Sequence, residues 1–358
     1  MMMQKETCDR VPERPEVRAV LYGVGSIGGS IARLLLKKKG VKIVGAVDPA
    51  PHKVGRDLGE LIGGGEPLGV AVSSTASELF SRVKADIALH ATSSFLKEIH
   101  PQLAELIQHK VNVITTCEEL AYPYFSNADL AKELDYLAEQ HNVTVLGTGI
   151  NPGFLMDTLA ITLTGVCQEV KHIKVERVID AAKRRTPFQK KIGAGLTTEE
   201  FRGKMERGVI TGHVGLKESI AMTADALGWN LQKIDIGHVE PIIAERRVES
   251  EALKVESGRV AGLKQVAHGV VDRTPVITLV FKAYIGAEEE YDSVRIDGTP
   301  SINQKITPCV HGDLGTAAII VNSIPRVINA APGLKTMKDL SVPSAVLGDI
   351  RRHLTIGV

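Results

Sequence analysis

The sequence predicts an α/β fold: a doubly wound parallel sheet followed by a second, α+β unit with a mostly antiparallel sheet. Three observations carry this prediction. A short apolar strand opening at Val17 runs straight into glycines and then into a helix pattern. Short apolar runs alternate with helical stretches from there to about residue 150. After Asn151-Pro152-Gly153 the texture changes to long strand-like segments. The length of 358 residues, at about 150 per domain, suits two domains.

Taken in order, residues 1–16, MMMQKETCDRVPERPE, read as a loose polar leader without the apolar stretch of a signal peptide. In RAVLYGVGSIGGSIARLLLKKKG, Ile27, Ile31, Leu34 and Leu35 share one helix face. Lys37 to Lys39 lie where the negative end of the helix dipole falls, and Gly40 is the expected C-cap. KIVGAV, DIALHA, NVITT and VTVLG are each short enough for a buried strand; DLAKELDYLAEQHN between the last two is a helix with Leu130, Leu134 and Leu137 inward, stopped by Asn142. Right-handed crossovers then make 17–150 one dinucleotide-binding unit.

Residues 151–311 form the expected substrate and dimerisation unit. KHIKVERVIDA is a long strand, Thr197 to Glu200 a capping box, and ESIAMTADALG a helix; IIAERRVES, RVAGLKQVAHGVV and PVITLVFKAYI are strand-like. Long strands leave edges that a second copy would cover, so a homodimer through this unit is expected. The segment 312–358 begins with Ala, Ile and Val at helical spacing, and is expected to pack back on the first unit.

Composition excludes several functions. Lys+Arg 43 against Asp+Glu 42 gives a net charge of +1, which provides no field for nucleic acid or an anionic membrane surface. Cys8, Cys117, Cys167 and Cys309 are far apart, so neither a disulfide framework nor a zinc ribbon has support, and a reducing cytoplasm fits. The 11 histidines show no metal-ligand spacing, so no metal is expected. No apolar run reaches the roughly 18 residues a bilayer span needs.

The chemistry begins at Gly23, Gly25 and Gly28, a G-x-G-x-x-G directly after a strand and at the mouth of a helix. These glycines allow a tight turn, backbone access to a pyrophosphate and close helix-to-strand packing, with Ser26 and Ile27 in the same loop. Asp48, at the end of the second strand, can accept both ribose hydroxyls of an adenosine. Together these are the marks of a Rossmann dinucleotide site. The acid favours NAD, while nearby His52, Lys53 and Arg56 keep NADP open.

Ligands of such sheets lie beyond the carboxyl ends of the strands. There ATSSF offers Thr92, Ser93 and Ser94, either to the cofactor or as helix caps. TTCEELAYP offers Thr116 to the cofactor and places Glu118 and Glu119 beside the expected nicotinamide; successive side chains diverge, so only one acid can face the substrate. GINPGF offers Asn151, whose amide suits the nicotinamide carboxamide or the substrate, unless the segment is a simple hinge turn; Phe154 is counted with the pocket. Cys117 reads as a small buried filler rather than a nucleophile. His213 and His311 sit among glycines, a context for pocket loops or for surface and capping roles.

GVGSIGGSIARLLL with GAVDPAPHKVGRDLGELIG, ATSSF, TTCEELAYP, NPGF and HGDLGTAA together resemble the 2,4-diaminopentanoate dehydrogenases and the native amine dehydrogenases close to them. The resemblance spans nearly the whole chain from Val17, and CEELAYP is its most specific element. It implies a dihydrodipicolinate-reductase-like second domain and NAD(P)-dependent oxidative deamination of an amine, or reductive amination of a ketone with ammonia. It further implies that Glu118 is the catalytic carboxylate, that Arg177 and His213 line the pocket, and that Asn151 lies near the nicotinamide. Ile179 stands where the resemblance leads one to expect Asn, which removes a polar group and favours a simpler ketone or amine over a diamino acid. VIDAAKRRTP keeps Lys183 but lacks the histidine pair of true dihydrodipicolinate reductases. A reductase of that type or of the homoserine dehydrogenase type is the alternative enzyme, separated by ammonia dependence; a catalytically silent dinucleotide sensor would point Glu118 away from the crevice.

Overall fold

The computed structural model of the chain describes residues 15–63 and 65–355. Of the expected leader, residues 1–14 lie outside that range. Strands β1 (Val17–Tyr22), β2 (Val41–Val47), β3 (Val72–Ser73), β4 (Ile87–His90), β5 (Asn112–Thr115) and β6 (Thr144–Gly147) are all parallel. β4 and β6 are buried at every position, as parallel strands covered on both faces require. The order of strand addition reverses between β1 and β4, which are parallel neighbours, and this opens a crevice at the sheet's carboxyl edge.

Helices cover both faces because their apolar spacing demands it. In Leu96–Gln108, Leu96, Ile99, Leu103 and Leu106 fall on one stripe and are each 0% exposed. Truncating one of them to alanine costs about 2–5 kcal/mol. The helix Ser26–Leu35 buries Ile31, Ala32 and Leu35, and it ends sooner than the glycine suggested: Leu36 is the C-cap, while Gly40 (φ +76) turns the chain into β2.

The second sheet holds β7 (Glu169–Asp180), β8 (Lys233–Ile236), β9 (Glu240–Ile243), β12 (Val260–Val271), β13 (Thr274–Tyr284), β14 (Tyr291–Thr299) and β15 (Ile302–Ile306). β10 (Val248–Glu249) and β11 (Lys254–Val255) form a separate ribbon, so IIAERRVES is two short strands rather than one. All pairings of the second sheet are antiparallel except β7 with β13. The helix Thr198–Glu206 opens on the Thr197–Glu200 capping box, and the helix Leu216–Ala226 packs Leu216, Ile220 and Ala224 onto β12 and β13.

After β15 the chain returns to the first sheet. The helix Gly312–Ile328 places Ala317, Ile320, Val321 and Ile324 in one core with Ile31 and Leu35. Beyond this helix lies a strand that sequence periodicity does not announce: β16 (Gly333–Lys335) joins β6 in parallel as the sheet's last strand. Among the described residues no helix is long and apolar enough to cross a membrane.

Candidate active site

Two cavities lie along the crevice. The first, about 530 Å³, runs from the glycine loop to Asp48, Lys53, Ser74 and Thr75. Its backbone fits a dinucleotide. Gly23 stands at φ +96, and a Cβ there would meet the Ala91 carbonyl at 2.4 Å. A Cβ on Gly28 would lie 1.9 Å from the Gly23 carbonyl, whereas around Gly25 there is open space for a phosphate. The helix behind carries no acid in its first turn, so its N-terminus is free to face an anion. Gly25 and Ser26 are exposed at that end, and Ile27 reaches the second cavity.

Asp48 follows β2 directly and is buried among its partners. Its Oδ2 accepts from Val24 N (2.9 Å) and Lys53 Nζ (2.7 Å), and Oδ1 from Ala50 N (3.0 Å). Burial works to raise its pKa, but the Lys53 ammonium and the two backbone donors outweigh it and hold the carboxylate below its usual range.

The second cavity, about 330 Å³, lies between the two units. The first unit contributes Ile27, Thr92, Ser93, Ser94, Thr116 and Glu118, the second Asn151, Arg177, Ile179, Arg184, Arg185, Phe188, Lys191, His213 and Phe281. The returning helix adds Gly312, Asp313 and Thr316. Two loops are positioned by a buried histidine. His90 Nδ1 meets Thr115 Oγ1 at 2.8 Å and its Nε2 meets Gln102 Oε1 at 2.7 Å; Thr115 Oγ1 in turn accepts from Cys117 N. Burial pushes His90 down to about 4, so it is neutral and ties the ends of β4 and β5 together. Gly147 lets the next loop close in: a Cβ there would meet the Leu120 carbonyl at 2.4 Å.

The two adjacent acids part company in the 3-10 turn Glu118–Ala121. Glu118 faces the cavity, and its Oε2 is enclosed without a hydrogen-bond partner. Burial pushes its carboxyl up to about 7, although the Lys191 charge and the Ser94 hydroxyl pull the other way. Glu119 corrects the expectation of a pocket residue. Its Oε2 accepts from Leu96 N at 2.7 Å, satisfying a donor at the head of the helix Leu96–Gln108, and it does not line the cavity. Phe154 is a second correction: the chain turns at Gly153 (φ +121), and Phe154 stays outside the lining.

The remaining expectations divide similarly. Thr92 bonds Gln102 Oε1 (2.9 Å), and the Ser93 hydroxyl donates to Glu98, so Ser93 serves the helix start while lining the cavity. Cys117 is 1% exposed with its thiol pushed up to about 12, an inert filler. Asn151 Nδ2 donates to His213 Nε2, and its Oδ1 is buried without a partner. Burial, then the Lys191 and Arg177 charges, lower His213 to about 3; the neutral ring stacks on Phe281 at 4.5 Å. Arg177 is 2% exposed and tied to Asp292 (2.7 Å) and the Val310 carbonyl (2.5 Å). His311 stands before the helix Gly312–Ile328, outside the lining and without a side-chain cap bond. No cluster among the described residues could hold a metal ion.

Sequence reading missed the basic wall. Arg184 Nη2 and Arg185 Nε share Asp313 at 3.1 and 3.3 Å, Arg184 Nε is buried without a partner, and Lys191 has no ion-pair partner among the described residues. The signal was the run AAKRRTPFQKK directly after the strand that carries Arg177 and Ile179.

Comparison with known proteins places this arrangement. Residues 154–356 match the family model for the 2,4-diaminopentanoate dehydrogenase C-terminal domain, and residues 17–118 that for the dihydrodipicolinate reductase N-terminus. The 2,4-diaminopentanoate dehydrogenase of Acetoanaerobium sticklandii is 39% identical over 342 residues, covering 94% of this chain and 96% of that protein. An amine dehydrogenase structure from Mycobacterium smegmatis has a TM-score of 0.81 at 29% identity, covering 94% of this chain and 99% of its own. Dihydrodipicolinate reductase from Paenisporosarcina sp. TG-14, solved with dipicolinate, shares the fold at 14% identity and a TM-score of 0.50, covering 90% of this chain and 99% of its own.

Proposed function

The chain belongs to the 2,4-diaminopentanoate dehydrogenase family and is an NAD(P)-dependent amine dehydrogenase, and on that premise we propose that Glu118 handles the reacting nitrogen while Arg184 and Lys191 hold a substrate carboxylate. The observation that carries this reading is a set of unpaired buried atoms at one cavity: the acceptors Glu118 Oε2 and Asn151 Oδ1 and the donor Arg184 Nε. Buried polar atoms need partners, and a substrate with an amine at one end and a carboxylate at the other supplies both kinds. Ile179 is an apolar part of the cavity wall, and the basic residues beside it supply the charge that a carboxylate needs.

Bound NAD(P) supplies hydride exchange at carbon. The protein manages the rest. In deamination, ionised Glu118 accepts a proton from the substrate ammonium and passes it to solvent, so the nitrogen lone pair can stabilise the carbon as its hydride leaves; the restored carboxylate then faces a cationic iminium. Hydrolysis of that iminium by water gives the ketone and ammonia. Run in reverse, neutral ammonia adds to the ketone, Glu118 passes its proton to the departing water, and the hydride returns to carbon. We propose that the reaction runs as oxidative deamination of an amine or, where ammonia is plentiful, as reductive amination of the ketone, in a cytoplasmic homodimer formed through residues 151–311. The reading of a dimer rests on the long strands of the second sheet, whose exposed edges need cover.

The test is initial rates with NADH, ammonia and a panel of small ketones, with and without a carboxylate, including 2-amino-4-oxo acids. Carboxylated ketones are expected to have KM values lower by about 10- to 100-fold, the worth of a charge-assisted contact. Equal KM values across the panel would remove the basic wall from substrate recognition, and turnover without ammonia would replace the amine reaction with a simple reductase.

A further inference from the structure

We infer that Lys53 decides cofactor breadth: paired with Asp48 it leaves the ribose site open to NAD, and turned from Asp48 toward a 2′-phosphate it admits NADP. The inference rests on the dinucleotide reading of this cavity and goes beyond it by assigning a residue to the choice. A carboxylate alone at the end of β2 would repel a 2′-phosphate. Here it is not alone. Lys53 Nζ lies 2.7 Å from Asp48 Oδ2 on the wall of the same cavity, so the pair presents no net charge to the ribose.

Hydrogen-bond capacity points the same way. A carboxylate has about four lone-pair sites, and Val24 N, Ala50 N and Lys53 Nζ occupy three of them. Asp48 thus has room for one ribose hydroxyl, and for two only when Lys53 leaves. This amends the expectation that Asp48 takes the whole diol as the structure stands. The ammonium has three donors, and among the described residues its one partner is Asp48, so two are open to phosphate oxygens. Other charged groups nearby are committed elsewhere. Arg56 pairs with Glu60, Arg82 bonds Ser73 and Glu78, and Glu105 across the cavity accepts from the Ser77 amide and hydroxyl.

The experiment is fluorescence titration of NADH and of NADPH into wild type, Lys53→Met and Lys53→Arg, a readout that requires no turnover. Wild type is expected to bind both cofactors within about tenfold of each other. Lys53→Met should weaken NADPH by about 10- to 100-fold, the loss of a charge-assisted contact together with an unmasked Asp48, and shift NADH by no more than about threefold. Lys53→Arg should keep NADPH. NADPH bound more than about 100-fold more weakly than NADH by wild type, or Lys53→Met weakening both alike, would overturn the assignment. Failure of every protein to bind NADH would instead overturn the dinucleotide reading beneath it.

Discussion

Asp48 and Glu118 both stand just beyond the carboxyl ends of strands in one parallel sheet, yet their surroundings differ in every respect that matters to a carboxylate. Three donors hold Asp48 and keep its proton off. Glu118 has an enclosed oxygen without a donor, and burial lifts it to about 7. The first is built to stay charged and hold a ligand; the second is poised to exchange a proton near neutral pH. Linkage gives the two opposite signs. Asp48 contributes stability above its ordinary pKa that is lost as pH falls through the lowered one. Ionising Glu118 costs stability as pH rises from its ordinary 4.5 to about 7.

Substitutions can break this contrast or sharpen it. Glu118→Gln preserves shape but neither charge nor basicity, so single-turnover hydride transfer should fall by about 10² to 10⁴, with NADH affinity unchanged by fluorescence. Arg184→Met or Lys191→Met should raise KM for a carboxylated substrate by about 10- to 100-fold and leave an uncharged ketone unaffected. Asp48→Ala should weaken NADH by about tenfold and NADPH less, with turnover at saturation retained. Smaller still, Glu118→Gln should gain about 1–2 kcal/mol in urea unfolding at pH 8 and little at pH 4, because it removes a charge the fold does not solvate. Glu119→Ala, which uncaps the helix Leu96–Gln108, should lose about 1 kcal/mol at near-normal turnover.

Much of this was legible in the sequence because period and punctuation are local. The glycine string, the strand runs around it and the capping box at Thr197 each depend on residues a few positions apart. The divergence of Glu118 from Glu119 came from turn geometry and the choice of Glu118 from the resemblance, but the distant amide of Leu96 that holds Glu119 was not legible. β16 was not legible: three residues, Gly333–Lys335, carry no period and acquire strand structure only from the edge of β6. Nor was the partnership of Arg184 and Arg185 with Asp313, which lies 129 and 128 residues downstream. A basic run reads as a solvated face until tertiary structure encloses it. His90 lies in the run DIALHA with nothing to single it out; its role comes from Thr115 and Gln102, which only the packed structure brings within reach.

The central claim is that an ionised Glu118 does the nitrogen chemistry. The most direct test is the pH dependence of single-turnover hydride transfer from a bound amine, in wild type and in Glu118→Gln. The expected result is a rate that rises with pH in wild type as Glu118 loses its proton, with a midpoint shifted below about 7 because the bound ammonium favours the carboxylate, and a low, flat profile over the same range in the variant. A Glu118→Gln enzyme that keeps the same midpoint and rate would contradict it.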